Sequence, residues 1–122
     1  MNQGTVLVVE DDPALREVIC ETLQLANYHV VTADNGQQAL QCLDGNRDIA
    51  LLLSDVQMEQ VDVYALLNSV KSRQPDLPVI LMTAYGTIEN VVQAMHDGAN
   101  DYLVKPFEAD TLVDMIARFI VQ

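Results

Sequence analysis

Short apolar runs alternate with amphipathic stretches along the whole chain. Residues 5–9 form a near-continuous apolar run, as expected of a central strand covered on both faces. Asp12 followed by Pro13 reads as an N-cap and first helical position, and Leu15, Val18, Ile19 and Leu23 then recur on one helical face. Residues 28–32 predict a second, β-branched strand. Asn35 caps a short helix carrying Ala39, Leu40 and Leu43, which Gly45 is placed to end. Residues 49–54 are the third strand, and Asp62 can cap a helix bearing Ala65, Leu66, Leu67 and Val70. Pro75 and Pro78 close that connection before a fourth strand at 79–82. Thr87 caps a helix with Ile88, Val91, Val92 and Met95, ended by Gly98. A fifth strand follows at 101–105, and the last helix carries Leu112, Ile116 and Phe119.

Strands and helices alternating through short loops predict right-handed crossovers. The expected fold is therefore α/β: a doubly wound, five-stranded parallel sheet flanked by five helices. Order 2-1-3-4-5 suits five such units and sets strands one and three side by side at the switch point. Four polar groups follow the apolar runs: Glu10-Asp11-Asp12, Asp55, Thr83-Ala84 and Lys105-Pro106. All would emerge at the carboxyl edge of the sheet, where open α/β folds place their sites. Asp11, Asp12 and Asp55 should converge there.

Composition narrows the function. The chain has 122 residues, half of them hydrophobic, which fits one domain spanning residues 1–122 with a single core. No linker or low-complexity segment divides it. With 18 acidic residues against 6 Lys and Arg, the net charge is −12, so the domain should not bind nucleic acid directly. No apolar run approaches the roughly 20 residues of a membrane span and no signal peptide opens the chain, so a soluble, cytoplasmic protein is expected. Cys20 and Cys42 lie in helical segments at no metal-ligand spacing and read as buried thiols outside any disulfide. His29 and His96 are isolated and suggest neither metal binding nor catalysis.

The acidic cluster is the feature that most invites chemistry. Adjacent carboxylates joined by a third from the neighbouring strand cannot all stay ionised cheaply in a crevice. A divalent cation removes the repulsion, and hard oxygen ligands in a small site suit Mg²⁺ or, as a second choice, Mn²⁺. Capping the first helix needs one of these carboxylates, Asp12, and not three. Asp55, one serine beyond its apolar run, can act as a nucleophile on phosphorus. Such a reaction needs a cation across the phosphoryl oxygens, a second positive charge and a hydroxyl donor. The metal site, Lys105 and Thr83 supply them, and the small Ala84 leaves room for an incoming donor.

Taken in order, Asp11-Asp12, Asp55, Thr83 and Lys105-Pro106 make the chain resemble the receiver domain of two-component response regulators, along essentially its whole length. The resemblance implies that Asp55 accepts a phosphoryl group from a sensor histidine kinase or a phosphotransfer protein. It implies Mg²⁺ held by Asp11 or Asp12, Asp55 and the backbone carbonyl of Gln57, with Lys105 on the phosphoryl oxygens. The Lys105–Pro106 peptide is expected to be cis. Thr83 would swing toward the phosphate and Tyr102 would turn inward with it, repacking the face made by strand four, strand five and the helix between them. Such a domain is a switch and not an enzyme, beyond its own phosphotransfer and slow dephosphorylation.

Segments 82–87 (MTAYGT) and 101–107 (DYLVKPF) are similar to the nitrogen-regulator branch. Those receivers usually precede an ATPase that activates sigma-54 RNA polymerase and a DNA-binding domain. The chain is accordingly expected to be the N-terminal regulatory part of a longer regulator, with a stand-alone regulator as the alternative. Homodimers through the fourth helix and fifth strand are a further expectation.

Residues 55–63 read DVQMEQVDV, whereas the family commonly has Asp-x-x-Met-Pro-x-x-Asp-Gly. Glu59 stands at the proline position and Val63 at the glycine. Glu59 is expected to slow phosphorylation or weaken Mg²⁺ affinity, and equal affinities in Glu59→Pro, Glu59→Gln and the parent would contradict that. Gln57 and Tyr85 occupy positions that tune phosphoryl lifetime. Three rival readings have distinct signatures. A flavodoxin-like carrier would want a Ser/Thr/Gly-rich loop after strand one. A haloacid-dehalogenase-type phosphohydrolase would carry an acid where Gln57 stands. A docking module regulated without phosphate would not need the intact pocket.

Overall fold

The apolar run Thr5–Val9 becomes strand β1, and its side chains divide strictly between two cores. Val6 and Val8 enter one cluster with Ile19, Leu23, Leu51, Leu53, Ile80, Met82, Leu103, Leu112 and Ile116. Leu7 and Val9 enter the other with Ala39, Leu43, Leu52, Leu66, Leu67, Val70 and Leu81. Successive strand side chains point to opposite faces, so an unbroken apolar run is what a strand with both faces covered requires. Each fully buried leucine, such as Leu7 or Leu53, contributes about 2 kcal/mol through removal from water.

The computed structural model describes residues 4–45, 48–55, 63–83, 96 and 98–120. After β1 come helix α1 (Pro13–Leu25), β2 (His29–Ala33), α2 (Gly36–Gly45), β3 (Ile49–Asp55), α3 (Val63–Arg73), β4 (Val79–Thr83), β5 (Asp101–Val104) and α4 (Ala109–Phe119). All neighbouring strands pair in parallel, in the order β2-β1-β3-β4-β5. That is the expected topology. The helix expected between Thr87 and Gly98 and the cap at Asp62 lie outside the described residues, so four of the five expected helices are seen.

Boundaries moved by a residue or so. The second strand begins at His29, because Asn27 adopts a left-handed conformation (φ 75°) that turns the chain out of α1. Asparagine tolerates that region better than most residues. Tyr28 is buried beneath this turn, its N–H donating to the Leu23 carbonyl at 3.0 Å. The fifth strand ends at Val104, which leaves Lys105 beyond the sheet edge, and the Lys105–Pro106 peptide is cis as expected. Cys20 and Cys42 form no disulfide but are half-buried, not buried. Among the described residues, no helix is long and apolar enough to cross a membrane.

Candidate functional site

Register places the polar residues together. Val9 pairs with Ser54, Asp55 with Met82, and Thr83 with Val104, so β1, β3, β4 and β5 end at one level. The residues at or just past those ends are Glu10, Asp11, Asp55, Thr83 and Lys105. The Lys105 backbone N–H donates to the Thr83 carbonyl at 2.7 Å, which extends the β4–β5 pairing by one bond and fixes where the lysine side chain starts.

From there Lys105 Nζ reaches 2.7 Å from Glu10 Oε1 and 3.1 Å from Asp55 Oδ2. Glu10 is completely buried and Asp55 nearly so. Burial pushes the Glu10 carboxyl up from 4.5 to about 7. The hydrogen bond from Lys105 opposes this, while the hydrogen bond with Asp55 and its charge add to it. Burial alone would lower Lys105, but its hydrogen bonds and charge contacts with Glu10 and Asp55 outweigh burial and raise it. The ammonium is therefore held firmly in its charged form.

Ligand oxygens of Glu10, Asp11 and Asp55 all lie within 4.8 Å of one another. This donor set fits a small hard cation: every ligand atom is a carboxylate oxygen, and the exposed Asp11 leaves a side open to water. Asp55, Asp11 and Lys105 are thus brought together as the sequence suggested.

Asp12 caps α1, as its place before Pro13 suggested, its Oδ1 accepting from the N–H groups of Ala14 at 3.0 Å and Leu15 at 3.5 Å. It is exposed and takes no part in the three-carboxylate cluster. The physical reason is Pro13, which starts the helix immediately behind Asp12 and turns its carboxylate toward the helix's open N–H groups. The residue that sequence reasoning left out of the ligand set is Glu10. Strand alternation was the available signal: Glu10 shares the parity of Val6 and Val8, which carries it inward beside Lys105.

The remaining predicted residues fall as follows. Thr83 is fully buried at the end of β4. Tyr102 is half-buried on β5, opposite Leu81 and packed against the cluster that contains α2 and α3. Ser54 Oγ donates to the Asp55 carbonyl at 3.1 Å, stiffening the end of β3. Gln57, Glu59, Ala84 and Tyr85 lie outside the described residues, and no side-chain placement is described for Val63. His29 and His96 are exposed and belong to no metal-binding group among the described residues. Beside the cluster, an apolar groove of about 380 Å³ runs between α1 and the segment after β5, lined by Val18, Ile19, Lys105, Phe107 and Leu112 among others.

Comparison with known proteins gives a consistent answer. The profile described as "Response regulator receiver domain" matches residues 6–117. The chain is 49% identical over 113 residues to the response regulator protein FleR of Pseudomonas aeruginosa, covering 93% of this chain and 24% of that protein. It is 41% identical over 120 residues to the DNA-binding transcriptional regulator NtrC of Escherichia coli, covering 98% and 25%. The crystal structure of NtrX from Brucella abortus in complex with ADP superimposes with a TM-score of 0.92 at 30% identity, over 98% of this chain and 27% of that one. A receiver domain protein from Clostridium thermocellum gives a TM-score of 0.91 at 28% identity, over 96% and 94%. The chain spans about a quarter of the length of the curated relatives it matches.

Proposed function

Because the chain belongs to the response regulator receiver domain family, we propose that it is a phosphorylation switch whose phosphoacceptor is Asp55. The observation that carries this reading is Lys105 Nζ at 3.1 Å from Asp55 Oδ2, on the sheet edge that also holds Glu10 and Asp11. A carboxylate oxygen of Asp55 attacks the phosphorus of a phosphohistidine on a sensor kinase or phosphotransfer protein. The phosphorus–nitrogen bond breaks and the imidazole departs. Lys105 is already beside the attacking group and takes up the new phosphoryl oxygens without reorganising. Asp11 and Asp55, with Glu10 beside them and the Gln57 carbonyl from outside the described residues, would hold Mg²⁺. When bound, that ion supplies positive charge across the phosphoryl oxygens.

The product carries roughly two negative charges and three acceptor oxygens where one carboxylate stood. Thr83, buried one strand away, is the hydroxyl placed to answer them. Its movement opens space for the half-buried Tyr102 to turn in, which shifts the face of β4 and β5. An output domain would read that face, and a homodimer formed across it is the parallel route. The name of NtrC, a DNA-binding transcriptional regulator, supports a transcriptional output, and the nitrogen-regulator resemblance supports a sigma-54-dependent ATPase with a DNA-binding domain in the same polypeptide. The role is regulatory, not enzymatic.

Intact mass after incubation with a small-molecule phosphodonor tests the reading. One phosphoryl group should be gained with Mg²⁺, none with EDTA, and none in Asp55→Asn. Equal gain in Asp55→Asn would contradict the assignment.

A further inference from the structure

Arg16 sits in the first turns of α1, but its guanidinium folds back to the end of β1. Nη1 donates to the backbone carbonyl of Glu10 at 2.9 Å and pairs with Asp34 Oδ1 at 2.7 Å. We propose that Arg16 is a positioning residue that aims the Glu10 and Asp11 carboxylates at the cation site by tying the end of β1 to the end of β2. The inference rests on the Mg²⁺ site proposed above.

The carbonyl that Arg16 holds belongs to the peptide joining Glu10 to Asp11. That peptide is a rigid plane, so fixing its oxygen fixes the directions from which both side chains depart. The sheet itself stops one group earlier: the Glu10 N–H donates to the Ala33 carbonyl at 3.2 Å, and β1–β2 pairing ends with Val9 and Ala33. Beyond that point Arg16 takes over. Its anchor is itself held, because the Asp34 N–H donates to Gln38 Oε1 at 2.8 Å and the Gln38 N–H donates to Asn35 Oδ1 at 2.9 Å. A continuous set of bonds thus runs from the first turn of α2 through Asp34 and Arg16 to the peptide between two of the three clustered carboxylates. Mutating groups that orient metal ligands in this way typically weakens metal affinity about 10- to 100-fold. An exposed ion pair, by contrast, contributes little to global stability. Asp34 is 60% exposed, so a merely structural Arg16–Asp34 pair would leave metal affinity untouched.

The test is calorimetric Mg²⁺ titration of the unchanged chain, Arg16→Met, Arg16→Lys and Asp34→Asn, with Tm measured in EDTA as the control for folding. Arg16→Met should weaken Mg²⁺ by about 10-fold. Arg16→Lys, which keeps a donor on a shorter stem, should recover part of the loss, and Asp34→Asn should fall between Arg16→Met and the parent. Folded Arg16→Met with the parent's affinity would overturn the inference alone. Should Arg16→Met not fold, Asp34→Asn decides the question, since unchanged affinity there removes the proposed anchor's role. No Mg²⁺ binding by the unchanged chain would overturn both this inference and the metal site on which it rests.

Discussion

Lys105 reaches 95 positions back along the chain to set its Nζ 2.7 Å from Glu10 Oε1, joining the last strand's exit to the first strand's end. The same ammonium is 3.1 Å from Asp55 Oδ2, so its charge balances two buried carboxylates that face each other. Removing one partner of a buried charge pair leaves an uncompensated charge. Lys105→Met should therefore destabilise the metal-free protein by about 3 kcal/mol in urea unfolding at pH 7. Adding Glu10→Gln removes one of the two carboxylates and should restore part of that loss. A double variant as unstable as Lys105→Met would contradict the pairing.

The Glu10 carboxyl has its own pH signature. Its value in the folded chain, about 7, lies above the ordinary 4.5, because burial and the facing Asp55 outweigh the attraction of Lys105. The folded state thus binds a proton more tightly than the unfolded state. Glu10's contribution to stability is full below about pH 4.5 and is lost as the pH rises through 7. In EDTA, the stability gained by Glu10→Gln over the parent should grow from pH 5 to pH 8 by on the order of 1–3 kcal/mol. A difference independent of pH would show that Glu10 is ionised throughout.

Asp12 caps α1, whereas the proposed Mg²⁺ site gives its neighbour Asp11 a different role. Asp12→Ala should lower stability by about 1 kcal/mol through loss of the α1 cap, while Mg²⁺ affinity stays near the parent's. Asp11→Asn should do the reverse, with stability nearly unchanged and Mg²⁺ affinity reduced by about 10-fold or more. Calorimetry beside thermal unfolding distinguishes the two. Loss of Mg²⁺ binding in Asp12→Ala would return Asp12 to the ligand set.

The proposed switch makes Thr83, buried on the neighbouring strand, the relay and Asp55 the acceptor. Thr83→Ala should still gain a phosphoryl group at Asp55. It should, however, lose the Tyr102 ring shift that beryllofluoride and Mg²⁺ induce in the parent, as read by NMR. A full Tyr102 response without the Thr83 hydroxyl would uncouple the two residues.

The sheet was legible because its signals are redundant. The apolar runs that make the strands are too continuous for amphipathic helices, and Pro13, Asn35 and Gly45 punctuate the helices with local chemistry. The convergence of Asp55 and Lys105 rested on the strand order that the family resemblance supports: parallel strands of equal level put their exits on one edge, and the order decides which exits meet. Local reasoning marked Asp12 as the cap but did not single out Glu10 as the carboxylate that turns inward beside Asp55 and Lys105. Three consecutive carboxylates look alike in sequence, and only the parity of β1 and the start of α1 at Pro13 decide which turns inward and which caps. Arg16 was missed for a different reason. Its partners, the Glu10 carbonyl and Asp34, come from a strand end and a distant turn, and no spacing rule connects them. The exit from α1 through Asn27 depends on a left-handed φ that asparagine permits but does not announce.

The central claim is that Asp55 carries the phosphoryl group, and an acyl phosphate can be read directly. Borohydride reduces an aspartyl phosphate to homoserine, so the chain is treated with a small-molecule phosphodonor and Mg²⁺, reduced, digested and sequenced by mass spectrometry. The account predicts homoserine at position 55 only, and none when EDTA replaces Mg²⁺. Homoserine at position 11 or 12, or full phosphoryl gain with aspartate intact at 55, would contradict it.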